Sequence, residues 1–263
     1  MKICLSKYCL DSRFLQWPLI SVYHQIRREK AAAFNASTFY KYVSLLKLKR
    51  TLPAKREKNH TTGIRANRPL QVLHADTTVF RTADNGKNYI YLIQDNFSRA
   101  ILSCKVAPEC KAQIAFENLT AVQAEYLRHA EIESCQLITD DGSENFGPVK
   151  GLVASSRSPS LRHLIAQKDI TFSNSMIEAA NKQLKYRFLY HHHIPDHSAL
   201  VKYVGAAVLD YNHRPHAVLN GLTPFEVLHG GQFDQAADQQ QIPMAKRTRI
   251  AQNKIAKCCY YSF

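Results

Sequence analysis

The sequence predicts an α/β chain, a mixed sheet flanked by helices and preceded by a small all-α helix-turn-helix module. Two observations carry this. Apolar, β-branched runs near residues 70–80, 88–95 and 99–107 are followed by a helical stretch over 111–130, a strand over 134–139, and helices again after Ser160. The charge is also uneven: residues 1–70 carry a net +12, residues 71–234 a net −2 and the remainder +4, within a total of +14. A basic arm ahead of a nearly neutral core suits a nucleic-acid partner, because neutralising phosphates releases counterions. The chain of 263 residues is long enough for one substantial core plus a small helical module. The expected division is a DNA-binding module over 1–50, a basic linker over 51–69, the core over 70–232 and a basic tail over 233–263.

Within the arm, Ile20 to Arg28 and Ser37 to Leu46 read as two helices. Val22 and Ile26 share one face of the first, and Phe39, Tyr42, Val43 and Leu46 one face of the second. Phe34-Asn35-Ala36 supplies the turn, with Asn35 able to take the left-handed conformation and Ser37 a candidate N-cap. The second helix is expected to present Ser37, Thr38, Tyr40 and Lys41 outward, the small polar and basic groups a major-groove reader uses. Lys47 through Arg68, basic and broken by Pro53 and Gly63, reads as a linker able to follow a DNA backbone. The Gln-rich segment from Gln235 is expected to stay flexible until bound, with Tyr260-Tyr261-Ser262-Phe263 as a docking candidate.

Three acids stand out in the core. Asp76 interrupts a strand-like run from Leu70 to Phe80 with a lone charge. Asp140 ends the apolar run Cys135 to Thr139, so its carboxylate emerges at a strand's carboxyl end; Asp141 beside it is better suited to the turn with Gly142. Glu178 lies on a helix where, at about 100° per residue, it shares a face with Asn181, Lys182 and Lys185, while Ile177, Ala180, Leu184 and Phe188 form the core stripe. Three converging carboxylates are what two-metal phosphoryl transfer requires. Magnesium takes hard oxygen ligands, and two ions roughly 3.5 to 4 Å apart can clamp a phosphodiester between attacking and leaving oxygens. Asn181, Lys182 and Lys185 would then hold the DNA backbone, giving affinity without sequence information.

These residues carry a resemblance. His74-Ala75-Asp76-Thr77-Thr78, Leu137 through Glu144, and Asn174 through Glu178 with Asn181-Lys182-Gln183-Leu184-Lys185 look like the three blocks of retroviral-integrase-type transposases, in the right order. Tyr211-Asn212-His213-Arg214-Pro215-His216 and Gly221 through Leu228 are similar to the segment that closes this core in bacterial insertion-sequence transposases. The resemblance implies an RNase H-like fold and a DDE site in which Asp76, Asp140 and Glu178 are catalytic and bind two Mg2+ or Mn2+ ions. It also implies DNA contact by Arg214 and action on the ends of a mobile element and on target DNA, as a homo-oligomer in a bacterial cytoplasm, at the nucleoid. Departures from the family pattern are Asp141 in place of a frequent Asn, Leu73 in place of Trp and Ser173 in place of Asp. The interval from Asp140 to Glu178 is also slightly long, and the Pro-broken segment 154–160 would absorb the excess. A silent DNA-binding relic and an RNase H-like nuclease are the alternatives.

Seven cysteines show no CxxC spacing and follow no secretory signal, which reads as reduced thiols in a cytoplasm. No apolar stretch is long enough to span a bilayer. His191-His192-His193 with His197 lack the paired cysteines of a zinc module, and adjacent helical positions point apart.

Overall fold

The structure, a computed structural model, describes residues 2–48, 63–156 and 159–255. Most of the expected linker, Arg157 and Ser158, and residues 256–263 with Cys258, Cys259 and Tyr260 to Phe263 lie outside the described residues. The chain divides into two compact units. One comprises Met1–Glu57, Arg214–Leu222 and Gln232–Phe263, the other Lys58–His213 and Thr223–Gly231.

In the first unit, helices α1 (Lys2–Cys9), α2 (Leu19–Arg28) and α3 (Ala36–Leu45) close around Leu5, Val22, Ile26, Phe34, Phe39 and Val43, all essentially inaccessible. The Tyr23 hydroxyl donates to the Phe34 carbonyl across 3.1 Å, fixing the chain between α2 and α3. The turn differs from expectation. Lys30, not Asn35, is left-handed (φ 52°), because the chain reverses directly after α2, where Ala31 N–H donates to the Ile26 carbonyl. Asn35 arrives extended at the N-cap of α3 without a side-chain bond, so Ser37 is not the cap but already lies within the helix.

The second unit holds a five-stranded sheet of order β3-β2-β1-β4-β5. Strands β1 (Val72–Arg81), β2 (Lys87–Asp95) and β3 (Ile101–Ala107) form an antiparallel meander, and β4 (Ser134–Thr139) returns parallel to β1 after helix α4 (Ala112–Glu125). Helices were expected after Ser160, yet β5 (Ser160–Ile165) pairs in parallel with all of β4; its short run adds to the open edge after α5 (Pro148–Ser155) has made the crossover. Helices α6 (Ser175–Arg187) and α7 (His197–His213) cover one face, where Phe80, Leu92 and Ile101 meet Ile177, Leu184, Leu200 and Val204. The other face packs Leu73, Ile93 and Leu137 against Leu119, Val122 and Val149 of α4 and α5. A short α8 (Pro224–Leu228) starts with a capping box between Thr223 and Glu226.

Asn212, near the end of α7, accepts from the Ile101 N–H and donates to the Ile101 carbonyl, both at 2.9 Å, and Gln94 donates to the Tyr211 hydroxyl at 3.0 Å. The Tyr-Asn pair thus ties α7 to the strands beneath it. The segment from Gln235, expected to be flexible, forms helix α9 (Gln235–Ile255) in the first unit. Its Ala, Gln, Lys and Arg residues are good helix formers, and Asp234 accepts from the Ala237 N–H at 2.9 Å as an N-cap would. No helix among the described residues is long and apolar enough to cross a membrane.

Candidate active site

The parallel pairing of β1 and β4 sets the geometry. His74 lies opposite Ile138, so two residues further on Asp76 and Asp140 reach the same level of adjacent strands. Glu178 enters from the first turn of α6. Asp76 and Asp140 feel the neighbouring carboxylates. Burial first, and then Asp140 and Glu178, push the Asp76 carboxyl up to about 6, against hydrogen bonds from the Thr77 N–H at 2.8 Å and the Asn181 amide at 2.6 Å. Asp140, at the rim, is also raised, by partial burial and then by Glu178, while a hydrogen bond from Asn174 pulls it back. Asp141 is ion-paired with Lys168 at the surface.

A ladder of polar contacts aligns α6 on β1. Asn174, at the helix start, donates to the Ala75 carbonyl at 2.8 Å and accepts from His74 Nδ1 at 2.7 Å. His74 Nε2 accepts from Asn96 at 2.9 Å, so the network fits one neutral tautomer, and burial lowers the His74 pKa to about 4. Further along, Asn181 meets Asp76 and the Lys185 ammonium donates to the Thr78 hydroxyl at 2.5 Å. Four helical residues advance about 6 Å and two strand residues about 6.6 Å, which is why these rungs stay in step. The Lys185 ammonium pKa is lowered by burial, with Asp76 opposing. Lys182 lies 3.5 Å from Glu178 in an exposed pair that contributes little by itself. His74 and Asn174 were not anticipated as positioning residues, although both sit inside the blocks that carry the resemblance.

Other expected contacts fall differently. Asn181 is 5% exposed and faces Asp76 rather than an open helix face, because it lies on the border between the polar and core stripes and the carboxylate draws it inward. Arg214, in the first unit, is 3% exposed. On α3, Ser37, Tyr40 and Lys41 are exposed and Thr38 is half-buried. His191 and His192 bond to the Tyr186 and Phe188 carbonyls, and His197 to Asn88. Cys4, Cys9, Cys104, Cys110 and Cys135 are in no disulfide.

Among the described residues, no three His, Cys, Asp or Glu side chains come together as a metal-ligand cluster. The expected ligand set is therefore close enough to couple electrostatically but not drawn into one shell. Asp76 is held by Asn181 and Thr77, Glu178 leans to Lys182, and mutual repulsion opposes closer approach. The donor chemistry nevertheless fits a hard dication. Asp76, Asp140 and Glu178 are oxygen donors, two of them are held above the usual carboxylate range, and the buried Asn181 Oδ1 beside them has no hydrogen-bond partner.

No protein-family model and no curated protein matches the sequence. Solved structures do. A chain from the cryo-EM structure of the simian T-cell lymphotropic virus intasome in complex with PP2A regulatory subunit B56 gamma is 16% identical, with a TM-score of 0.53 over 80% of this chain and 76% of that one. The chain has an integrase-type fold. The crystallised catalytic core domain of BIV integrase is 17% identical, with a TM-score of 0.46 over 61% of this chain and 94% of that one. The mixed five-stranded sheet, flanked by helices and preceded by an N-terminal helical region, is RNase H-like in architecture.

Proposed function

We propose that this protein is a DDE-type transposase that cuts and joins DNA at the ends of a mobile element. The observation that carries the reading is the meeting of Asp76, Asp140 and Glu178 from β1, β4 and α6, close enough for each of the first two carboxyls to feel its neighbours. These three would hold two Mg2+ or Mn2+ ions, with Asn181 orienting Asp76 and with Lys182 and Lys185 beside the phosphate of the bound strand. When bound, the ions supply Lewis-acid activation of the attacking oxygen and stabilisation of the leaving one. Water attacks the phosphodiester at the element end and frees a 3′ hydroxyl, which then attacks a phosphodiester of target DNA. The bond broken in the second step is replaced by the bond formed, so no covalent protein intermediate is needed. Exposed Ser37, Tyr40 and Lys41, with Thr38, suit base-edge and phosphate contacts by α3 as the second helix of a helix-turn-helix. Holding two ends in concert calls for at least a dimer on DNA, working at a bacterial nucleoid.

A second reading, a DNA-binding descendant without catalysis, is favoured by one observation, the lack of a ready-made ligand cluster among the described residues. Plasmid nicking and strand joining in magnesium or manganese separates the two. The transposase reading expects activity in the wild type that is lost in folded Asp76→Asn and Glu178→Gln. Equal behaviour of all three proteins on element ends sinks it. Preference for RNA–DNA hybrids would instead mark an RNase H-like nuclease.

A further inference from the structure

The outer surface of α6 continues beyond the carboxylate in a regular row. Glu178, Lys182 and Tyr186 follow at four-residue intervals on α6, and Tyr190 stands just past its end in a 3-10 turn (Leu189–His191), an acid, a cation and two rings, all solvent-accessible. Tyr186 is 65% exposed and Tyr190 55%. Their rings are 5.1 Å apart and tilted, and Tyr190 stacks on buried Phe80 at 5.4 Å. Phe80 stands on the same face of β1 as Asp76 and Thr78, so the aromatic step belongs to the surface that carries the candidate site. Tyr186 is not among the core residues, and the two adjoining exposed rings offer a ligand an aromatic face with polar edges.

Charge selects the ligand. Lys182, Lys185 and Arg187 occupy the same turns of α6, which favours a polyanion over an apolar protein segment. Ring geometry narrows it further, because bases inside a duplex are already stacked and only an unpaired base can offer its face to an aromatic side chain. Eight helical residues separate Glu178 from Tyr186, about 12 Å along the axis, so the base in question lies a few nucleotides from the cut.

We infer that Tyr186 and Tyr190 form a stacking platform for an unpaired base of the DNA strand leaving the active site. The inference rests on the transposase reading and names a substrate feature for it, a frayed or single-stranded segment beside the cleavage point. Arg187 and Lys182 track the backbone of that segment, while the rings hold the base without selecting its identity.

The test uses the full chain and duplex oligonucleotides carrying a short unpaired tail, with 2-aminopurine placed at successive tail positions. Stacking on the platform quenches emission at one position in the wild type. Tyr186→Leu with Tyr190→Leu, checked for an unchanged melting temperature, removes the quench and weakens binding of the tailed duplex at least about tenfold. Binding of a blunt duplex is unchanged. Tyr186→Phe with Tyr190→Phe, which keeps the rings, behaves as wild type. No position-specific quench, or an equal loss on tailed and blunt duplexes, overturns the platform. Because fluorescence is read without divalent metal and also in Asp76→Asn, absent cleavage would remove the transposase reading alone, and absent quenching beside normal cleavage the platform alone.

Discussion

Asn181 donates its side-chain amide to a carboxylate oxygen of Asp76 across 2.6 Å, joining α6 to β1 between residues 105 apart in sequence. The bond favours the ionised carboxylate, because an anion accepts it better than a neutral acid does. Asn181→Leu is therefore expected to raise the Asp76 pKa above its value of about 6. A hydrogen bond to a charged group contributes about 1.5–3 kcal/mol, which corresponds to roughly 1–2 pH units. Nicking by Asn181→Leu should fall about 10–100-fold near neutrality, with its acid limb moved upward. An unshifted pH profile would show that Asn181 does not act through Asp76.

Divalent metal should stabilise the fold through the same carboxylates. Burial and neighbouring acids make the ionised Asp76 unfavourable, so Asp76→Asn is expected to melt above the wild type in chelator. Added Mg2+ or Mn2+ at about a hundred times its dissociation constant contributes about 2.7 kcal/mol to the wild type, and Asp76→Asn should gain little. Identical metal responses in the two proteins would place any bound ion elsewhere.

How much of this was legible in the sequence depends on the distance over which each feature is decided. Strands β1 to β4 and the core stripe of α6 follow local periodicity, and the lone charge of Asp76 in an apolar strand flagged itself. Asp140 and Glu178 were legible through motif blocks as much as through local pattern. Asn181 was placed outside because helical arithmetic puts it on the border of two faces, and a strand partner far along the chain decides which way it turns. β5 is six residues with Arg162 and His163 in its middle, and only the open edge of β4 makes it a strand. Helix α9 lacks an apolar stripe, so its propensity was legible but its folding was not.

His74 should make stability depend on pH with a definite sign. Its pKa falls from 6.5 to about 4 in the folded protein, so the unfolded chain binds the proton first. The contribution of the neutral ring is fully present above about pH 6.5 and is lost as pH falls towards 4. Over that window the loss is about 3 kcal/mol. Raised Asp76 and Asp95 act in the opposite direction, so the comparison must be with His74→Gln. Urea titrations across the window should show the wild type losing its advantage over His74→Gln. A constant difference would mean that the bonds to Asn174 and Asn96 do not require the neutral ring.

Asn212 is expected to matter for stability rather than for DNA. Its amide satisfies both the N–H and the carbonyl of Ile101, and the residue is 3% exposed. Asn212→Leu keeps the volume but leaves a buried donor and acceptor without this partner, each costing about 1–3 kcal/mol. Denaturant titration should give a loss of about 2–6 kcal/mol. Tyr211→Phe removes the bond from Gln94, whose amide still donates to the Arg99 carbonyl at 2.8 Å, and should cost about 1 kcal/mol. Affinity for blunt DNA should be the same in both variants under conditions where both are folded. If Asn212→Leu were the milder change, the tie between α7 and β3 would not be what anchors the helix, and its place in the closing motif would need a role in contact with DNA.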